Sequence, residues 1–228
     1  MLYPYPSEVS KEKFLNNNQN NHALYGLPNQ IKFCKSCVIS NQRPSSSIEF
    51  KHNSKELKKS IGFSHDDICD ACKVKDQKKI INWAEREEQL RELCDKFRSR
   101  DNHYDCIVPG SGGKDSFMTA HLLKYKFGMN PLTVTWAPHI YTDWGWRNHQ
   151  AWIHAGFDNI LFTPNGKVHR LITRLAVENI LHPFQPFILG QKNLAPKLAS
   201  LYDIPLIFYG ENEAEYGNPR MDNSKSKQ

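Results

Sequence analysis

CIVPGSGGKDS, residues 106–116, decides how the chain is read. A short apolar run enters a Ser/Gly loop, and the loop ends in Lys-Asp-Ser where a helical pattern begins at Phe117, Ala120, His121 and Lys124. That is the layout of a phosphate cradle. Gly110, Gly112 and Gly113 allow positive φ and remove the side chains that would hold an anion away from backbone N–H groups, and the helix that follows adds unpaired donors and its dipole. Lys114 supplies a mobile cation, and the hydroxyls of Ser111 and Ser116 supply neutral donors. The common nucleotide P-loop does not fit, because it needs Ser or Thr directly after the lysine, and Asp115 stands there. A carboxylate facing a phosphate site is costly unless a metal bridges them, so Asp115 points to Mg²⁺ or to a cap at the helix start.

Downstream of this loop, strand and helix patterns alternate, which predicts an α/β fold with a parallel sheet and helices on both faces. The expected elements are helix 115–127 ending at Gly128, strand 132–136, a helix near 147–155 ending at Gly156, strand 159–163, helix 167–181, a helical stretch around 189–202 and strand 205–209. Ligands in such sheets bind beyond the carboxyl ends of the strands. That rule selects Trp136 and Ala137, the Thr163-Pro164-Asn165 turn, and GENEAEYG at residues 210–217. Trp136 reads equally well as a core residue. Glu211, Glu213 and Glu215 form either a solvated acidic turn or a Mg²⁺ site that offsets the charge of a leaving pyrophosphate, with Lys114 and Lys192 as cations in the same cleft.

Upstream, Cys34 and Cys37 in CKSC and Cys69 and Cys72 in DICDAC bracket a polar segment. Paired CxxC knuckles suit one tetrahedral Zn²⁺, and four thiolates leave no open position, so the site reads as structural rather than as redox pairs or free thiols. Residues 77–99 give a helical period through Ile80, Trp83, Ala84, Leu90, Leu93, Cys94 and Phe97, with Cys94 on the buried face. The domain reading is therefore a polar arm at 1–30, a four-cysteine zinc knuckle at 31–76, a connecting helix at 77–100 and a nucleotide-binding domain at 101–228. The net charge of +6 is concentrated in residues 31–80 and after residue 220, where thiolate ligation of Zn²⁺ in the first of these segments would trim it. It reads as a solvated face rather than a nucleic-acid surface. No run of 18 apolar residues is present and the first thirty residues lack a signal-peptide core, so a cytoplasmic protein without a membrane partner is expected.

SGGKDS resembles the SGGxDS signature of the PP-loop ATP pyrophosphatases, which cleave ATP between the α and β phosphates. Together with the CxxC pair followed by CVIS, the DICDAC knuckle and GENEAEYGNP, it resembles the N-acetyl sugar amidotransferase family of bacterial surface-sugar pathways. The resemblance covers residues 31–220. It implies a HUP-like sheet and an AMP-forming carbon–nitrogen ligase that converts an acetamido group on a sugar to an acetamidino group, in lipopolysaccharide or flagellar nonulosonic-acid synthesis. It further implies ATP and Mg²⁺, Zn²⁺ in a structural role, and catalytic parts for Lys114, Asp115 and Glu215 or Glu213. Trp136 and Ala137 fall where the superfamily holds adenine. The chain has Leu2 in place of an N-terminal nucleophilic cysteine and no Gly-x-Cys-x-Gly elbow, so ammonia would come from a separate glutaminase. Family members run past GENEAEYG and carry a fifth strand where four are read here, which implies a fragment, a split gene product or a shortened form, with a further chain or a homo-oligomer as ways to complete the fold. A tRNA-modifying PP-loop enzyme and a non-catalytic zinc-bearing nucleotide-binding subunit are the alternative readings.

Overall fold

The computed structural model describes residues 27–43 and 60–211. The expected polar arm before residue 27, and Glu213 and Glu215, lie outside the described residues. The chain divides into two compact units, one holding the described residues up to Cys72 and the other those from Lys73 onward.

In the second unit four parallel strands form one sheet: β1 (Cys106–Pro109), β2 (Pro131–Trp136), β3 (Asn159–Phe162) and β4 (Leu206–Ile207). Their order is β3-β2-β1-β4. Register runs from Cys106 opposite Pro131 and Leu206, and from Thr133 opposite Asn159. The chain therefore steps outward from β1 to β3 and then returns to the other side of β1. Period-two alternation divides the core accordingly. Cys106 and Val108 of β1 pack with Ala120 and Leu123 and with Trp152, a set that draws on helices α3 (Lys114–His121) and α4 (Asp143–His154). Ile107, Leu132 and Val134 face the other way, onto Leu194, Ala195 and Leu198 of α6 (Gln185–Tyr202). Helices thus cover both faces, as the alternation of the sequence requires, and the carboxyl end of β1 becomes the point where the connections part.

Several boundaries differ from the sequence reading for identifiable reasons. The expected helix 77–99 splits, because Asn82 is extended and its side chain caps Glu85 N–H; α2 is Trp83–Phe97, preceded by a short 3-10 turn at Lys78–Ile80. Only Cys94 of that helix is buried, while Ile80 and Trp83 are exposed. Helix α4 starts at Asp143, four residues earlier than expected, since the Thr142 hydroxyl accepts from Gly145 N–H. Helix α5 is Gly166–Ile180, capped by Asn165. Helix α3 widens into a π turn at Leu122–Lys126 before Gly128 closes it at φ +63.

In the first unit, antiparallel bridges Phe33 to Ser40 and Phe63 to Cys69 fold each CxxC pair into a knuckle. Helix α1 (Asp70–Gln77) opens inside the second pair. Among the described residues, no helix is long and apolar enough to cross a membrane.

Candidate functional site

The Gly-rich loop leaves β1 at the switch point of the sheet and enters α3. Its three glycines are required for three different reasons. Gly112 has φ +83, and a Cβ there would lie 2.5 Å from the Asn148 carbonyl oxygen on α4. Gly110 is not left-handed; its bare Cα lets Ser116 approach, since a Cβ would sit 2.4 Å from the Ser116 hydroxyl. Gly113 is the N-cap of α3 at φ −65, with no side-chain cap, and a Cβ on it would meet nothing within 4 Å. Positive φ is thus needed once rather than at all three glycines, and Gly113 keeps open the space above the uncapped helix N-terminus. That space is where an anion meets the first turn's N–H groups and the positive end of the helix dipole.

The charged residues of the loop sit at this opening. Lys114 Nζ donates to both carboxylate oxygens of Asp115, at 2.7 and 2.9 Å. The cap is Gly113 and not Asp115, which excludes the capping role that the sequence left open for this carboxylate. The Ser116 hydroxyl donates to Gly113 O at 3.1 Å, which leaves its lone pairs rather than its proton for other bonding. Beside the loop, an open cleft of about 480 Å³ is lined by Gly112, Lys114, Phe117, Met118, His121 and Asn148.

Strand β4 brings a second motif to the same place. Phe208 N–H donates to Ile107 O, and Gly210 then lies against the start of α3, where a Cβ would be 2.7 Å from Asp115 C and Ser116 N. Glu211 follows directly and is exposed. Lys192 is exposed on α6.

At the carboxyl ends of β2 and β3 the structure assembles a cluster around Trp136 and Ala137, which the sequence reading named, and brings His139 and His169 to it, which that reading missed. Trp136 stacks on Phe162 at 4.9 Å between centroids, and Gly190 of α6 approaches so closely that a Cβ would fall 2.2 Å from the indole. Ala137 is buried and donates to Phe162 O. The packing reading of Trp136 therefore describes its ring, while its Nε1 is buried without a partner among the described residues. Nearby, His169 on α5 is buried, 4.7 Å from the His139 ring, and Phe184 and Phe187 lie within 6.1 Å of His139. His169 Nε2 and Gln185 Oε1 also lack partners among the described residues. Burial, with His139 alongside, holds the His169 pKa below the usual histidine range. Folded proteins pair nearly all such atoms, so the unpartnered Trp136 Nε1 and His169 Nε2, on rings 6.3 Å apart, are available to water or a ligand. The Thr163-Pro164-Asn165 turn is reached by the strand-end rule, and its Asn165 caps α5, whereas two histidines far apart in the chain carry no periodic signal, which is why pattern reading passes over them.

A separate polar network braces the loop's neighbour. His149 Nε2 meets Asn159 Oδ1 at 3.2 Å, and Asn159 Nδ2 donates to Thr133 and Thr135 hydroxyls at 3.0 and 3.1 Å. These bonds fix α4 over the sheet at the residue next to Asn148, against which Gly112 packs.

In the first unit, the sulfurs of Cys34, Cys37, Cys69 and Cys72 all lie within 4.8 Å of one another. Cys34 and Cys72 Sγ are 3.9 Å apart, and Cys37 and Cys69 Sγ 3.6 Å. A tetrahedron of thiolates about 2.3 Å from a central Zn²⁺ has edges of about 3.8 Å, so these two spacings match those of thiolates around one metal ion. Burial raises the Cys34 pKa, but N–H groups of Cys69, Cys37 and Ser36 outweigh it and bring the thiol down to about 6. Burial pushes Cys69 up to about 12.

Fold and loop together define a doubly wound α/β protein with a Gly-rich turn at its switch point and a four-cysteine cluster whose geometry could hold a metal ion. No family model matches the chain. Over 83 residues it is 36% identical to an uncharacterised protein of Methanocaldococcus jannaschii, an alignment spanning 36% of this chain and 29% of that protein. The chain thus matches less than a third of that relative's length. Among solved structures it is similar to an NH3-dependent NAD synthetase from Campylobacter jejuni in complex with the nitrate ion, at 14% identity and TM-score 0.44, over 60% of this chain and 62% of that one. The fold rests on the strand order and register themselves.

Proposed function

We propose that the chain is an AMP-forming ATP pyrophosphatase of the PP-loop type, acting as an amidotransferase on an N-acetyl sugar. The observation that carries this reading is the packing of Gly210 on the Asp115–Ser116 peptide, which joins GSGGKDS and the start of GENEAEYG in one site although they lie far apart in the chain. ATP phosphates lie on the uncapped N-terminus of α3, with Lys114 turning from Asp115 to the triphosphate. The organic part of a substrate lies toward Trp136 Nε1, His169 and Gln185, whose free polar atoms and aromatic walls suit a nucleoside or sugar ring. The acetamido oxygen attacks the α-phosphorus, the bond to the bridging oxygen breaks, and pyrophosphate leaves. Ammonia then attacks the imidate carbon, AMP departs, and loss of a proton leaves the acetamidino product. Asp115 and Glu211, with Glu213 and Glu215 from the stretch outside the described residues, would hold Mg²⁺, which supplies charge neutralisation at the pyrophosphate. The four-cysteine site holds Zn²⁺ as a structural ion. Ammonia comes from a separate glutaminase.

The test is incubation with ATP, Mg²⁺, ammonium and nucleotide sugars carrying an N-acetyl group. AMP, pyrophosphate and a sugar product about 1 Da lighter, as oxygen gives way to NH, are expected. Lys114→Ala should lower turnover by about 10²–10³-fold, the usual cost of one charge-stabilising donor. Release of ADP and phosphate as the coupled products would overturn the reading.

A further inference from the structure

Helix α5 carries one apolar side too many. His169 is buried and Thr173 and Ala176 are half-buried, which defines the side that packs against its own unit. About a third of a turn away, Val168, Leu171, Ile172 and Leu175 form a continuous stripe, 55%, 56%, 40% and 45% exposed. A contiguous exposed stripe of large aliphatic residues costs free energy in water and marks a docking surface. Along one edge of it run Lys167, Arg174 and Glu178. Lys167 stands in the first turn, Glu178 in the last, and Arg174 is tied to Glu178 within the helix at 2.5 Å.

We infer that this stripe is the contact between two copies of the chain, with α5 packed antiparallel on α5 about a two-fold axis. An aliphatic stripe is its own complement, as a two-fold contact requires. The charged edge selects the partner and its direction. When the helix is reversed on itself, edge faces edge, Lys167 of one copy meets Glu178 of the other, and the pair forms twice. Parallel two-fold packing would instead leave the charged edges on opposite sides of the contact, where the pair could not form. The axis then passes beside Ile172, midway between Lys167 and Glu178. This dimer is independent of the proposed chemistry, since no residue of the Gly-rich loop enters it.

Analytical ultracentrifugation of the full chain, loaded with zinc, tests the contact. The expected result is a reversible dimer that Leu171→Asp with Leu175→Asp weakens at least 100-fold while circular dichroism and zinc content stay as in the wild type. Lys167→Glu and Glu178→Lys should each weaken association several-fold, and the double swap should restore it; Arg174→Gln, which breaks only the pair within the helix, should leave it unchanged. Should the Asp variants fail to fold, Ile172→Cys under mild oxidation reads the same geometry. It should give a covalent dimer where Val168→Cys gives none. A wild-type chain that stays monomeric at about 100 µM, far above the Kd of a specific dimer, would sink the inference. So would a dimer indifferent to the charge reversals, or a monomer that binds anionic phosphatidylserine vesicles through the stripe.

Discussion

In the cysteine unit the buried core consists of Cys34, Cys69 and Cys72, with Ile39, Ile61, Phe63 and Ile68 only partly covered around them. In the sheet unit two clusters of aliphatic and aromatic side chains fill both faces of β1, one of them including Leu132 and Val134 of β2, and the buried thiols there, Cys94 and Cys106, are packing groups. Among the described residues of the first unit the buried apolar set is small, so a metal ion held by the sulfurs would contribute much of its order. The sheet unit does not share that dependence. Within the sheet unit the same contrast recurs on a smaller scale. The Gly112 turn is fixed by protein contacts, whereas the space beside Gly113 is kept open for something else.

The largest effect should come from the metal site. Cys69→Ser, or a strong chelator, should unfold the described residues before Lys73 and leave the sheet unit folded. Structural zinc contributes on the order of 10 kcal/mol in comparable sites. Hydrogen exchange resolved along the chain checks this, and simultaneous loss of protection in β1 and β2 would show that the units are not separately ordered.

Next in size are the loop glycines. Gly112→Ala combines a left-handed backbone with a clash against the Asn148 carbonyl, and roughly 3 kcal/mol of destabilisation is expected. Gly113→Ala should leave the urea midpoint where it is and weaken ATP binding instead. Equal loss of stability in the two variants would mean that Gly113 too is a packing residue.

A smaller effect is expected from pH. His169 has its folded pKa depressed by burial, so the folded state favours the neutral ring. Its contribution is present above the unfolded pKa of about 6.5 and is lost as pH falls through that value toward the folded one. Stability should therefore fall more steeply between about pH 7.5 and 5.5 in the wild type than in His169→Phe. Parallel pH profiles would remove His169 from the set of buried, ligand-facing groups.

The smallest change is a gain. Val38 follows the first CxxC pair at φ 57, a conformation that a β-branched residue adopts only under strain. Val38→Gly should stabilise the metal-loaded unit by roughly 0.5–1 kcal/mol, the relief of the left-handed strain less the entropy of an added glycine. Thermal denaturation with zinc in excess measures it.

By itself the sequence determined the parallel α/β alternation, the Gly-rich turn between β1 and α3, and the pairing of two CxxC knuckles. Each of these is local: apolar periodicity, glycine placement and cysteine spacing are read over short stretches of chain. The sequence also put GENEAEYG, which opens at Gly210, at the carboxyl edge of the sheet, because strand 205–209 ends there. Tertiary structure alone decided which contact each glycine serves, since Asn148, Ser116 and open solvent are neighbours only after α4 has packed. It also converted Trp136 from a candidate adenine platform into a packed ring with a free Nε1, because Phe162 and Gly190 arrive from β3 and α6. His139 and His169 likewise meet only once α5 has packed. Long-range contacts depend on how helices settle on the sheet, and no periodicity in a single chain encodes which side chains then face one another.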